Sequence, residues 1–380
     1  MQVSKGVTAL FPLVQNGDLK PVLNILTDYP RDDLASDEVR QALVTACAER
    51  GVHPFSLDVA AVPGLDTVVA GFKTAQLALN SRLGFGHVIH ANCAPRRNII
   101  SQHSKGEGVV AGILPNGVAL LVVNAGFSLS HFVPFMRAGL VRFFRTSIPD
   151  AGSQFRSRDY FPDAMAQLAA FLAHKADDKT AGVLKAGKGH EILQGFPLLG
   201  DEVKADEINE LSEGAICYID NFGNIKLNLN HDRIVAQHGE GTQMVVSIGA
   251  TVMNAVVGKA GFSQGEGELA LTRGSSGWKT PDGKDMRFTE IFLRGGSAAA
   301  SFSKIHTGDQ VLGVSFNDMK KIFAALKESG LKKIGNLDLY LMSEAQILQL
   351  LAARGLVRDG FDTAPLQKAL AGNSLLKALV

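Results

Sequence analysis

Residues 218–229, YIDNFGNIKLNL, concentrate polar chemistry in a short space. Asp220, Asn221 and Asn224 surround the Phe222-Gly223 step, with β-like runs on both sides. A carboxylate and a carboxamide held there could grip the two ends of an amino acid, ammonium and carboxylate. Asp, Asn and Gly are also the usual turn formers, so a plain hairpin turn fits the same residues. Asp28 closes the apolar run PVLNILTD. In open α/β sheets ligands bind beyond the carboxyl ends of strands, and a carboxylate there can take both hydroxyls of a ribose; a capping Asp is the plainer alternative. FRSRD, residues 155–159, places Arg156, Ser157, Arg158 and an acid just before a helical pattern. This is either an anion- or nucleophile-binding turn at a positive helix end or a solvated cap. NCAPRR puts Asn92, Arg96 and Arg97 after another strand-like run, where a basic surface turn is the bland reading. GSSG at 274–277 and LRGGSAA at 293–299 read as small-residue turns that could offer N–H groups and hydroxyls to a ligand.

The chain narrows the classes of function. It has 380 residues, enough for two or three domains, with 46% hydrophobic and 20% charged residues. A net charge of +1 gives no general field toward nucleic acid or a membrane surface. No apolar run is long enough to span a bilayer, and the N-terminus lacks a signal-peptide pattern. Cys47, Cys93 and Cys217 are scattered and odd in number, which argues against a disulfide framework or zinc site and for a reduced, cytoplasmic protein. Neither GxGxxG nor GxxxxGK[ST] occurs, so the common dinucleotide and P-loop folds lose support. The histidines are dispersed; His87 and His90, at odd spacing on one strand, point to opposite faces and do not share a metal.

The elements that must position these residues fall into three stretches. Up to about residue 195, strand-like runs at 21–28, 53–60 and 86–92 alternate with helical patterns at 36–50 and 66–82. Ser36 suits an N-cap and Gly51 a stop. This alternation predicts an α/β domain with a mixed, largely parallel sheet and flanking helices. Residues 108–124 form a hairpin pattern around Pro115-Asn116-Gly117, 159–174 a helix, and 175–190 a surface or linker segment. Residues 196–315 carry short β-like runs separated by Gly, Asn, Asp and Ser, which predicts a small all-β barrel. Residues 316–380 return to helical periodicity, as a helical tail.

In this order the segments resemble the S-adenosylmethionine hydroxide adenosyltransferases, adenosine-forming hydrolases related to the fluorinating and chlorinating enzymes. The resemblance covers roughly residues 20–315. ILTDYPRDD resembles the family's opening LTDFG-type strand end, SQFRSRDYFPDAMAQLA its TFHGRDIFAPAAA-type turn and helix, and YIDNFGNIKLNL its IDRFGNLITNI-type segment. SSG at 275–277, followed by EIFLRGGSAAASFSKIHTGDQV, resembles the family's closing SSG…GSAA…GD pattern. The resemblance implies that Asp28 holds the ribose diol. Asp220 and Asn224 would hold the amino-acid part, with Ser275 and Ser276 facing its carboxylate. Arg294 and the backbone at Gly295 and Gly296 would approach the adenine. It also implies a homo-oligomer, commonly a trimer with ligand between neighbouring subunits, S-adenosylmethionine as substrate, and neither cofactor nor metal.

The departures from the family are specific. The hydrolases activate water with an Asp, an Arg and a His. Here Asn92 stands near the place of the acid, Arg96 or Arg97 serves for the arginine, and Arg156 replaces the His. Ser157, the next residue, resembles the halide-contacting serine of the halogenating relatives. An amide and an arginine do not act as bases near neutral pH. The expectation is an enzyme that cleaves an adenosyl compound at the ribose 5′ carbon, with water or a small anion as nucleophile. Two further readings are a catalytically silent nucleoside sensor and a halogenase-like transferase.

Overall fold

Alternating apolar and helical segments build the first half of the chain as the sequence pattern requires. A computed structural model describes residues 11–15, 18–94, 108–149, 153, 155–258, 264–318, 320–321 and short pieces between 333 and 350. The chain divides into two compact units, residues 1–210 with 278–284 and residues 211–277 with 285–380.

The first unit is organised by a seven-stranded sheet. Its strands are β1 (Val22–Thr27), β2 (Ser56–Ala61), β3 (His87–Asn92), β4 (Val109–Ile113), β5 (Ala119–Val123), β6 (Phe143–Thr146) and β7 (Leu199–Val203). The spatial order is β2-β1-β3-β5-β4-β6-β7. β2, β1, β3 and β5 run parallel, and the remaining pairs are antiparallel. Helix α1 (Leu34–Glu49) connects β1 to β2, and α2 (Thr67–Leu79) carries the chain back past β1 to β3. The strand order therefore reverses beside the end of β1, the place where doubly wound sheets open a crevice.

Helix α1 packs with α4 (Phe161–Ala173), burying Val39, Leu43 and Cys47 against a core that includes Met165, Leu168 and Leu172. Burial of each large apolar side chain contributes roughly 1.5–3 kcal/mol. That support lets the strand ends carry polar groups. The cap of α1 differs from the expected one. Asp33, not Ser36, is the N-cap, its carboxylate accepting the Ala35 N–H at 2.8 Å. Ser36 is buried in the first turn and donates to the Pro30 carbonyl at 2.7 Å. Residues 175–190 also depart from the expected surface linker. They contain α5 (Asp178–Lys185), whose Thr180, Ala181 and Leu184 are buried. Lysine and aspartate on its outer face mask a short amphipathic stripe in the composition.

The second unit has its own seven-stranded sheet, β8 (Ile216–Ile219), β9 (Ile225–Asn230), β10 (Gln243–Ile248), β11 (Thr251–Val257), β12 (Leu269–Lys279), β13 (Asp285–Leu293) and β14 (Val311–Ser315). The order is β8-β9-β13-β12-β11-β10-β14. The two edge strands meet through one bridge, Ala215 with Gln310, so the sheet curls toward a barrel around Ile216, Leu227, Ile248, Leu271 and Ile291. It is a mixed sheet, because β11 and β12 run parallel. The all-β expectation is corrected by α6 (His231–His238) and the short α7 (Ala298–Ser301). Asn230 caps α6 by accepting the Asp232 N–H at 3.1 Å. A single polar turn-former thus starts a helix where the β pattern predicted another loop. The expected helical tail, 316–380, lies largely outside the described residues. No helix among the described residues is long and apolar enough to cross a membrane.

Candidate functional site

A cleft of about 660 Å³ opens in the first unit at the carboxyl ends of the parallel strands. Asp28 and Tyr29 reach it from the end of β1, Gly64 and Leu65 from the end of β2, and Asn92 and Ala94 from the end of β3. Phe155, Arg156 and Ser157 enter from α3 (Arg156–Asp159) and the residue before it. Four residues expected from the sequence thus meet here: Asp28, Asn92, Arg156 and Ser157. Arg96 and Arg97 lie outside the described residues.

Asp28 accepts the Leu65 N–H at 3.3 Å. Leu65 has φ 62°, a left-handed conformation that costs a bulky L-residue about 1–2 kcal/mol. The turn after β2 is thereby held in an unfavourable geometry that aims a backbone donor at the carboxylate.

The other end of the cleft is a knot of hydroxyl and amide. Asn92 donates its two amide hydrogens to the Tyr29 hydroxyl at 2.7 Å and to Ser157 Oγ at 2.8 Å. Asn92 sits on buried β3, beside Thr27 of β1 in register. Burial pushes the Tyr29 phenol above its ordinary pKa, with the hydrogen bond to Ser157 opposing the shift and the Asp28 charge adding to it. The phenol therefore stays protonated at neutral pH. The Tyr29 ring meets Phe155 edge-on at 5.9 Å, and the Arg156 guanidinium lies 5.9 Å from the Phe161 ring centroid. Arg156 also donates to the Pro149 carbonyl at 3.3 Å. The four-residue α3 is too short to supply much of a dipole, so the guanidinium carries the positive charge at this end. Cys93, next to Asn92, is not a nucleophile: burial, then the charges of Asp28 and Asp66, push its thiol far up. The cleft end formed by Asn92, Tyr29, Ser157 and Arg156 thus offers hydrogen-bond donors and a cation, without a base active at neutral pH.

The remaining expected residues lie in the second unit. Asp220 and Asn224 bracket a tight turn, with the Gly223 N–H donating to the Asp220 carbonyl at 2.9 Å and the Asp220 N–H to the Asn224 carbonyl at 3.1 Å. Gly223 is required there. Its φ is 79°, and a Cβ would stand 1.9 Å from Ser297 Oγ. The Ala299 N–H donates to the Gly223 carbonyl at 2.8 Å, which ties the turn to the segment that holds Gly296. Gly296 itself donates to the Leu293 carbonyl at 3.2 Å, and the Arg294 side chain donates to the Gln264 carbonyl. GSSG is not a turn but the middle of β12. Gly274 and Gly277 let β13 approach, since a Cβ on either would stand 2.8 Å or less from a carbonyl oxygen of Phe288 or Met286. Strand alternation sends the two serine side chains to opposite faces, Ser275 exposed and Ser276 buried. The structure does not bring their hydroxyls together.

Lys226 was not singled out in the sequence. It is 5% exposed, and its ammonium lies 3.5 Å from Asp220 Oδ2 and pairs with Glu290, its register partner on β13. Little in the sequence signals this: Ile225, Leu227 and Leu229 face the core, so strand alternation puts Lys226 on the other face, and its burial depends on Glu290 of a strand distant in the chain.

Residues 214–312 match the family model of the SAM hydroxide adenosyltransferase C-terminal domain. Apart from residues 278–284, the matched residues lie in the second unit, and the resemblance drawn from the sequence holds over them. Among solved structures, an uncharacterized conserved protein from Thermotoga maritima is similar with TM-score 0.51 and 16% identity, over 76% of this chain and 98% of that one. A conserved hypothetical protein from Thermus thermophilus is similar with TM-score 0.45 and 18% identity, over 77% of this chain and 98% of that one. The first of these shows a shared fold. A comparison with curated proteins found no match.

Proposed function

We propose that the protein binds S-adenosylmethionine or a close adenosyl compound and cleaves it at the ribose 5′ carbon. The observation that carries this reading is the cleft at the reversal point of the first sheet, with Asp28 at the end of β1, in a chain whose second unit matches an adenosyltransferase domain. Asp28 accepts the ribose hydroxyls; the Leu65 N–H orients its carboxylate. Asn92, Tyr29, Ser157 and Arg156 line the nucleophile side.

In the hydrolytic reaction a water oxygen attacks C5′ in line with the departing sulfur. The C5′–S bond breaks with its electron pair going to sulfur, which leaves as the neutral thioether of methionine. The attacking water loses a proton to solvent, and adenosine is released. The sulfonium is a good leaving group, so positioning and exclusion of bulk water supply most of the catalysis.

One observation favours a small anion as the nucleophile instead. The Asn92–Tyr29–Ser157 knot and Arg156 are donors and cation, which stabilise a species already negative and do not take a proton from water. That reaction forms a C5′–anion bond and again releases methionine. The test is incubation with S-adenosylmethionine, with and without halide, followed by mass spectrometry of adenosine, 5′-halo-adenosine and methionine. Methionine release is the expected result. Binding without any product would overturn the enzymatic reading in favour of a nucleoside sensor.

A further inference from the structure

Two polar atoms of the first sheet, next to the cleft, are buried without a hydrogen-bond partner: Thr27 Oγ1 and His90 Nε2. Thr27 ends β1 at 0% exposure, and His90 lies within β3 at 2%. Thr27 is the register partner of Asn92, which lines the cleft, and His90 precedes Asn92 by two residues. Strand alternation therefore turns all three side chains to one face of the sheet, with His90 one layer deeper than Asn92. Helix α4 covers that face: the His90 ring meets Phe161, a cleft residue, edge-on at 5.1 Å.

The ends of this row of groups fix where its hydrogens sit. His90 Nδ1 lies 2.8 Å from the Leu121 carbonyl, which can only accept, so Nδ1 carries the hydrogen and Nε2 the lone pair. Burial lowers the ring to about 4, with the Leu121 carbonyl opposing the shift, so the imidazole is neutral at neutral pH. At the other end Asn92 donates to both Tyr29 and Ser157, and those hydroxyls keep their own hydrogens for other partners. The Thr27 hydroxyl stands near enough to the Tyr29 phenol to oppose its upward shift, yet outside hydrogen-bond geometry. Buried polar groups of this kind are ordinarily satisfied by an ordered water. One water here accepts from Thr27 and donates to His90 Nε2.

We propose that Thr27 and His90 hold one such water and, with Tyr29, form a proton path that leads from the cleft to His90 Nε2. The inference rests on the adenosyl reading above and serves its hydrolytic branch, for which the cleft itself offers no base. The attacking water oxygen bonds to C5′ as the C5′–S electron pair leaves with sulfur, which makes that oxygen a strongly acidic oxonium. Its proton passes to the Tyr29 oxygen while the phenol proton moves to Thr27. The Thr27 proton moves to the bridging water, and a proton of that water moves to Nε2. After adenosine leaves, the proton returns to solvent by the same path. An acceptor of low basicity suffices, because the oxonium is far more acidic than an imidazolium. His90 acts through Thr27 and Tyr29 and touches no substrate.

The test compares the full-length wild type with Thr27→Val, which keeps the shape and removes the hydroxyl, and Thr27→Ser, which keeps the hydroxyl. Single-turnover release of adenosine and methionine from S-adenosylmethionine is followed in each, and adenosine affinity is measured by calorimetry. Thr27→Val is expected to slow release about a hundredfold or more, the usual contribution of a positioned proton acceptor. Its adenosine affinity is expected to stay within about threefold of the wild type, a change below the tenfold that a lost contact brings. Thr27→Ser is expected to recover most of the rate, which a purely structural role of Thr27 does not predict. Equal release by the wild type and Thr27→Val would overturn the inference and leave the adenosyl reading standing. Adenosine binding without release by the wild type would remove the hydrolytic branch and the inference together, and no binding at all would remove the adenosyl reading as well. Nitrogen-15 NMR of the wild-type His90 ring needs no variant, so poor folding of Thr27→Val does not blunt the test. A protonated Nδ1 and an unprotonated, hydrogen-bonded Nε2 are expected, and a proton resident on Nε2 would overturn the inference.

Discussion

The cleft of the first unit and the polar turn of the second use similar residue types to opposite ends. In the cleft, Asn92 spends its two donors on hydroxyls, and Tyr29 and Ser157 still face open space. In the turn, Asp220, Asn224, Lys226 and Glu290 close on one another with little exposure. The first arrangement leaves groups available to a ligand; the second makes a rigid support. Polar residues in a motif therefore do not announce which they are. The deciding facts are how many of their hydrogen-bonding positions the chain itself fills and whether a cavity adjoins them.

That contrast can be broken by stability measurements. Lys226→Met should be the most damaging change, costing about 3–5 kcal/mol because it strands two carboxylates in a site made for three charges. Denaturant unfolding reads this directly, and a loss below about 1 kcal/mol would show that the knot is not the support described. Gly223→Ala should cost roughly 2–4 kcal/mol, since it combines a left-handed φ with a Cβ overlapping Ser297; thermal melts of the variant check it. The first unit should respond to pH. His87 and His90 are buried, and burial lowers both to about 4. Between about pH 6.5 and 4 the unfolded chain binds protons that the folded one does not. Stability is then full above pH 6.5 and falls as pH drops, by about 1.4 kcal/mol per unit for each histidine. A flat stability profile over that window would contradict the burial of these rings. Asn92→Ala should be the mildest, about 1 kcal/mol in stability, while weakening ligand binding. The reverse pattern, large destabilisation with unchanged binding, would make the Asn92 knot structural like the turn.

Some of this was legible in the residues. Asp28, Asn92 and FRSRD each follow a strand or precede a helix, and parallel topology forces such ends to one edge of a sheet, where the cleft lies. The hydroxyl of Tyr29 was not legible, because its role depends on Asn92, which lies 63 positions from Tyr29 and 65 from Ser157 in the chain. GSSG misled for a local reason: glycine and serine favour turns, but here they let two strands approach, which only the partner strand reveals. Lys226 escaped because lysine is ordinarily a surface residue, and its burial is set by an acid on a strand distant in sequence. Helix α5 escaped because charge dominated its composition while only its inner stripe decided its packing.

The central claim is that the cleft ending on Asp28 is a nucleoside site. Equilibrium titration of adenosine into the wild-type chain and into Asp28→Asn tests it most directly. The account predicts saturable binding to the wild type and a loss of about tenfold or more in the variant, with the fold intact by circular dichroism. Equal affinity for adenosine in the two proteins, or none in the wild type, would contradict it.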